Sequence, residues 1–272
     1  MEITALAVSQ HASQDEGSLR CVGHFRHAIN FLTSEERLLT LHRAGRGLSP
    51  MGWVIDEDDF DEVSDCLREN GACHLSATGI ELANLRLCYP SVRQDLRLRR
   101  QGIISLPSLQ ASLAGIPAST GLFGPLDNII THPCRGEPLE IRQLFSNWLR
   151  GENVDWSLVL GKGPGLTPGN DDTLMGMLLV AWLDQRVDVK CLPAFFTGTQ
   201  PLAELTTLVS VHYLQFAAQG IFSTPLQQAA YALLHPEKLP DAVSELLAIG
   251  HFSGADTLLG IWLGAEAVNA IH

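Results

Sequence analysis

GKGPGLTPGNDDTLMG, residues 161–176, runs without a break into MLLVAWL, residues 177–183. The first stretch holds five glycines, two prolines and adjacent aspartates, and the second is apolar throughout. The pair reads as a turn-rich loop that delivers the chain into a buried helix. Glycine gives the backbone freedom that tight turns need, and Asp171 and Asp172 in a first helical turn suit the positive end of the helix dipole. Thr167-Pro168 fits an N-cap followed by a first helical position, and Asn170 fits the cap of a later start. Unpaired N–H groups at such a start, with Lys162 as the only cation of the stretch, make an anion site. The common phosphate loops do not fit. Lys162 precedes most of the glycines, where a P-loop lysine follows them, and GxGxxG is absent.

The core of this motif returns near the end of the chain. Asp172-Thr173-Leu174-x-Gly176 is repeated as Asp256-Thr257-Leu258-x-Gly260 within SGADTLLG, residues 253–260. Gly176 and Gly260 fall inside expected helices, where glycine costs about 1 kcal/mol against alanine. Close approach of two helix backbones would offset that cost. Helices crossing there would bring their N-terminal ends together, so that Asp172 and Asp256 flank one pocket. His251, just before the second motif, lies within reach of it. Capping competes with this reading: Ser253 and Asp256 fit the S-x-x-D capping box, and each aspartate alone is explained by the dipole. Capping does not require the same D-T-L-x-G twice.

Composition limits the function. The 272 residues carry a formal charge of −12 and 46% apolar side chains, which fits a globular fold and disfavours nucleic-acid or anionic-membrane partners. MEITALAVSQ has neither a basic lead nor a sustained apolar run, so no signal peptide is expected and the cytoplasm is the expected location. Six cysteines without CxxC spacing read as reduced thiols rather than a zinc site. No GxSxG, HExxH or Cys/His metal spacing occurs. Asp171 and Asp172 together offer the oxygens for a Mg²⁺ ion; no other cofactor is expected. From residue 191 onward the only Lys or Arg is Lys238, so an anion held in that half relies on helix N-termini, on Lys162, or on arginines such as Arg43 and Arg46.

The expected class is α+β. Residues 1–125 read as a strand-rich domain, with a barrel as one way to close it. Its segments are 3–9, 38–43, 52–55 and 80–90, interrupted by a helix capped by Asp56 with Phe60, Val63 and Leu67 on one face. Gly and Pro thicken over 115–125 and 131–138, which reads as the join. Residues 126–272 read as a helical domain carrying the motifs, with helices over 138–150, 171–185, 201–220, 225–235, 240–250 and 254–268.

These motifs, with TGLFGPL (120–126) and LLTLHR (38–43), resemble the AllH family over essentially the whole chain. The resemblance implies a part in anaerobic allantoin breakdown, a branch of purine catabolism, as one of three subunits of oxamate carbamoyltransferase. That enzyme interconverts oxalurate and phosphate with oxamate and carbamoyl phosphate. The expected partners are therefore two other subunits and small anions. The family often has serine where Gly169 stands, so a hydroxyl there is dispensable. The Ser-Thr-Arg-Thr signature of ordinary carbamoyltransferases is lacking, Ser119-Thr120-Gly121 being a fragment of it. On this reading Asp172, Asp256, Lys162 and His251 are the catalytic candidates. Gly163, Gly165, Thr167, Asn170, Ser253 and Arg43 are the substrate-binding ones. Two other readings stand beside it: an assembly subunit whose motifs only cap and pack helices, and a free-standing Mg²⁺-dependent enzyme acting on a small phosphorylated molecule.

Overall fold

The computed structural model describes residues 1–83, 85–198 and 200–272, and the chain divides into two compact units, Met1–Leu96 and Arg97–His272. The division comes ahead of the 125/126 join expected from the sequence. The glycines and prolines of 115–125 build a hairpin, and Leu109, Leu113 and Leu126 around it lie in the core of the helical unit.

The first unit contains β1 (Glu2–Thr4), β2 (Ala7–Val8), β3 (Gly17–His24), β4 (Ala28–Leu32), β5 (Leu38–Arg43), β6 (Gly52–Ile55), helix α1 (Glu57–Asn70), β7 (Cys73–Ser76), β8 (Gly79–Leu82) and β9 (Leu85–Cys88). Its nine strands form one sheet in the order β1-β9-β8-β7-β3-β4-β5-β6-β2. The edges β1 and β2 are consecutive in the chain, and this forces the sheet to curl into a half-barrel. The Ala5 N–H donates to Cys88 O at one edge, and the next residue, Leu6, donates to Val54 O at the other. The expected strand over 3–9 is thus two short strands on opposite edges, and that over 80–90 is β8 and β9, with Asn84 outside the described residues.

Helix α1 closes the curl. Asp56 accepts from Asp58 N at its start, Gly71 ends it with φ 62°, and Phe60, Val63 and Leu67 are buried against the sheet. Full burial of side chains of this size is worth roughly 1.5–3 kcal/mol each.

The second unit contains α2 (Leu106–Leu113), the hairpin β10 (Ser119–Thr120) and β11 (Gly124–Pro125), α3 (Leu126–Thr131), α4 (Gly136–Leu149), α5 (Gly169–Leu183), α6 (Leu202–Leu205), α7 (Leu208–Ala217), α8 (Thr224–Leu233), α9 (Leu239–Leu247) and α10 (Ser253–Ile271). Helices α5 and α10 form its centre, apolar around nearly their whole circumference, as helices enclosed by other helices must be. Helices α2, α4, α7, α8 and α9 pack around this pair. No described helix is long and apolar enough to cross a membrane.

Candidate functional site

Where α5 meets α10, the two glycines of the repeated motif remove side chains that the crossing has no room for. A Cβ on Gly176 would overlap the Thr257 carbonyl and lie 2.8 Å from the Ile261 nitrogen. A Cβ on Gly260 would overlap the Thr173 carbonyl. The intervening Thr173 hydroxyl donates to Gly169 O at 2.9 Å within its own helix and to Asp256 O at 3.3 Å across the crossing. Close contact offsets the helix cost of glycine, and it sets the two N-terminal ends side by side.

Asp171, Asp172 and Asp256 are all buried at these ends, and none acts as a simple cap. The cap of α5 is Pro168, one residue later than the Thr167 expected, with no side-chain bond. The cap of α10 is Phe252, so the expected Ser253–Asp256 capping box does not form. Ser253 occupies the first helical position, and Asp256 Oδ1 accepts instead from Gly121 N of the hairpin at 3.0 Å. Asp171 staples the loop: Oδ1 accepts from Gly161 N at 2.8 Å, and Oδ2 from the hydroxyls of Ser210 and Thr206. Asp172 Oδ2 accepts from the Thr167 hydroxyl at 3.0 Å, and Ser253 also bonds this carboxyl. The Thr167 and Ser253 hydroxyls are 3.2 Å apart and join the two helix starts.

Burial sets the charge state of the cluster. It pushes the Asp172 carboxyl well above its ordinary range; the Ser253 and Thr167 hydroxyls oppose the shift, and the nearby Asp256 and Asp171 add to it. Burial likewise raises Asp171 against its Ser210, Thr206 and Gly161 donors. The Asp256 carboxyl is pushed up to about 6 by burial, with the Gly121 N–H opposing the shift.

The glycine loop arches over the start of α5. Gly161, Gly163 and Gly165 have φ of 75°, 117° and 96°, and a side chain on Gly163 would strike the Gly169 nitrogen. Among the described residues, the N–H groups of Gly163, Gly165, Leu166, Thr167 and Gly169 donate to no protein acceptor. Lys162 Nζ lies 2.9 Å from Glu137 Oε1, which also accepts from Asn170 Nδ2 at 3.1 Å. The Lys162 hydrogen bond holds the Glu137 carboxyl below its usual range; burial opposes it, and the Asn170 hydrogen bond adds to the lowering. Asn170 is no helix cap: its Nδ2 also donates to Val159 O at 2.9 Å, and its buried Oδ1 has no partner.

Two sequence candidates make other contacts. His251 is exposed and packs edge-on against Phe252, with ring centroids 4.3 Å apart. Arg43 belongs to the first unit, where it pairs with Asp61 and covers the Phe60 ring at 4.8 Å. As for Mg²⁺, Asp171 and Asp172 bond different donors, and among the described residues no three His, Cys, Asp or Glu side chains converge on a metal position. Glu137, Thr206 and Ser210 were missed by sequence reasoning. The Thr206 and Ser210 hydroxyls, four residues apart across a helix start, were the available signal; Glu137 had none. Gly121 lay within 115–125, a stretch read from its Gly and Pro content as a join and from TGLFGPL as part of the resemblance, not as a site.

Fold and site together define an α+β protein whose helical unit gathers three carboxyls at paired helix starts and, among the described residues, a row of free backbone donors at the first of them. The chain belongs to the AllH family. Residues 159–265 match the family model described as oxamate carbamoyltransferase subunit AllH, and residues 4–96 match the AllH family N-terminal domain. The first match begins just before the glycine loop and takes in both aspartate motifs. No solved structure matches the chain.

Proposed function

We propose that this chain is a subunit of an oxamate carbamoyltransferase and contributes the anion cradle in which oxalurate and phosphate interconvert with oxamate and carbamoyl phosphate. The row of free N–H groups at Gly163, Gly165, Leu166, Thr167 and Gly169 carries this reading, because backbone donors at a helix start suit a phosphate or carboxylate. In the synthetic direction the oxamate nitrogen attacks the carbamoyl carbon, and the C–O bond to phosphate breaks with its electron pair leaving on phosphate. The Gly163 and Gly165 N–H groups stabilise the charge that develops on the carbamoyl oxygen. Asp256 accepts the proton lost from nitrogen; a carboxyl raised to about 6 is better matched to that task than an ordinary one. Two further subunits complete the enzyme.

A second reading follows from Asp171, whose donors are all supplied by its own chain. On that reading the carboxyls only staple the loop, and chemistry resides in a partner. Turnover of the reconstituted complex separates the two. Asp256→Asn keeps an acceptor for Gly121 N and removes the base, so carbamoyl transfer falls by about a hundredfold or more if Asp256 is the base, with assembly unchanged. Wild-type turnover by that variant assigns the motifs to packing.

A further inference from the structure

We propose that the glycine-loop face of the helical unit is the docking surface for another subunit of the carbamoyltransferase, which presents an apolar patch with a basic side chain at its centre. The inference rests on the anion-cradle reading. Five large aliphatic side chains are exposed on the segments that build the cradle: Leu122, Leu158, Leu166, Leu208 and Ile249. Leu158 is 80% exposed and Leu166 47%. Each segment is bonded into the site. The Thr207 hydroxyl donates to Leu166 O, which brings Leu208 beside the loop. Leu122 follows Gly121, the donor to Asp256. Ile249 O accepts from Gly254 N at the start of α10, and Val159, next to Leu158, accepts from Asn170. Aliphatics gathered around a functional feature mark an interaction surface rather than the scattered exposure of an ordinary one.

Charge selects the occupant. A phosphate on the loop would lie beside buried carboxyls, and the one cation of the loop, Lys162, is already matched by Glu137. Elsewhere in the helical unit Arg142 pairs with Glu266 and Arg186 with Asp184, while Arg135, exposed two residues before Glu137, adds one positive charge near the loop in sequence. From residue 191 onward Lys238 is the only cation. Asp171, Asp172, Asp256 and Glu137 outnumber Lys162 and Arg135, so a bound phosphate is better balanced by further positive charge from outside. A second copy of this chain would set one acidic, cation-poor face against another, which costs association energy. A basic partner subunit meets both the apolar rim and the uncompensated charge.

The test is association of the full chain with the other purified carbamoyltransferase subunits, measured by calorimetry without substrate. Leu166→Asp and Leu208→Asp should each weaken binding at least tenfold at unchanged melting temperature; an Asp at position 208 opens α7, where the helix dipole favours it. Ile103→Asp, exposed at the opposite, C-terminal end of α5 where Gly102 N donates to Leu183 O, should bind as wild type, and wild-type affinity should fall as salt rises. If Leu166→Asp lowers the melting temperature, Leu166→Gln replaces it, with the same loss expected. Wild-type affinity in both rim variants overturns the docking surface, as does a rim-dependent self-association of this chain or no association with the other subunits. Rim-dependent association with unimpaired turnover by Asp256→Asn leaves the docking surface standing and removes the chemistry proposed for the cradle. Rim-independent association with Asp256-dependent turnover does the reverse.

Discussion

Gly176 of α5 and Gly260 of α10 face one another, each pressed against the other helix's backbone. From that contact the rest of the site follows. It brings the two helix starts to the same level, lets Thr167 and Ser253 share a hydroxyl contact, and puts Asp172 and Asp256 in one low-dielectric interior where their charges oppose each other.

Replacing either glycine with alanine opposes two effects. Alanine gains about 1 kcal/mol of helix propensity, but overpacking a close contact costs typically 1–3 kcal/mol and occasionally more. Backbone carbonyls cannot move aside as side-chain tips do, so packing wins. Gly260→Ala should lower stability in urea by roughly 2 kcal/mol, and Gly176→Ala should do the same. A stabilised variant would show that the helices do not cross so closely.

Asp171 depends on donated hydrogens. Ser210→Ala removes the hydroxyl that donates to its buried Oδ2, leaving Thr206 as the remaining donor to that oxygen. A buried group deprived of a partner costs about 1–3 kcal/mol. Denaturant unfolding of Ser210→Ala should show a loss in that range, and Ser210→Thr should recover part of it. No loss in the alanine variant would mean that the staple contributes nothing to stability.

Asp256 makes stability depend on pH in a set direction. Its carboxyl titrates near 3.8 when unfolded and near 6 when folded, so the folded state binds the proton more tightly. The stability this provides is complete below 3.8 and is lost as pH rises through about 6. Asp256→Asn cannot ionise. Relative to wild type, it should gain stability between those two pH values and show no further gain above them. Urea midpoints measured below, within and above the window check this; a constant difference would show that Asp256 is not shifted.

Lys162 and Glu137 should affect ligand binding far more than stability. Their ion pair is half-exposed on the lysine side, and exposed pairs contribute about 0–1 kcal/mol. Lys162→Ala should weaken phosphate binding in calorimetry with little change in melting temperature. Glu137→Gln should strengthen it by freeing the lysine charge. Opposite changes would place the anion away from this pair.

The sequence by itself determined a good deal. The turn-rich loop and the apolar run behind it gave the buried helix α5, because glycine and proline punctuate and an all-apolar surface must be enclosed. The repeated D-T-L-x-G gave the glycine crossing, because glycine inside a helix needs a close neighbour to offset its cost. The segments 38–43 and 52–55 became β5 and β6, and Asp56 capped α1 as its spacing implied. Strand β3, GSLRCVGH, was invisible, since most of its side chains are exposed or only partly covered and it carries little apolar alternation. The roles of the aspartates were decided only by the tertiary structure. Local rules make Asp256 a capping-box partner of Ser253, but its hydrogen bond goes to Gly121, 135 residues earlier in the chain. Lys162 reads as a free cation until Glu137 is placed 2.9 Å away. Propensity and periodicity act over a few residues and so fix helices and turns. Which donor a buried carboxyl meets depends on segments distant in sequence, and folding alone brings those together.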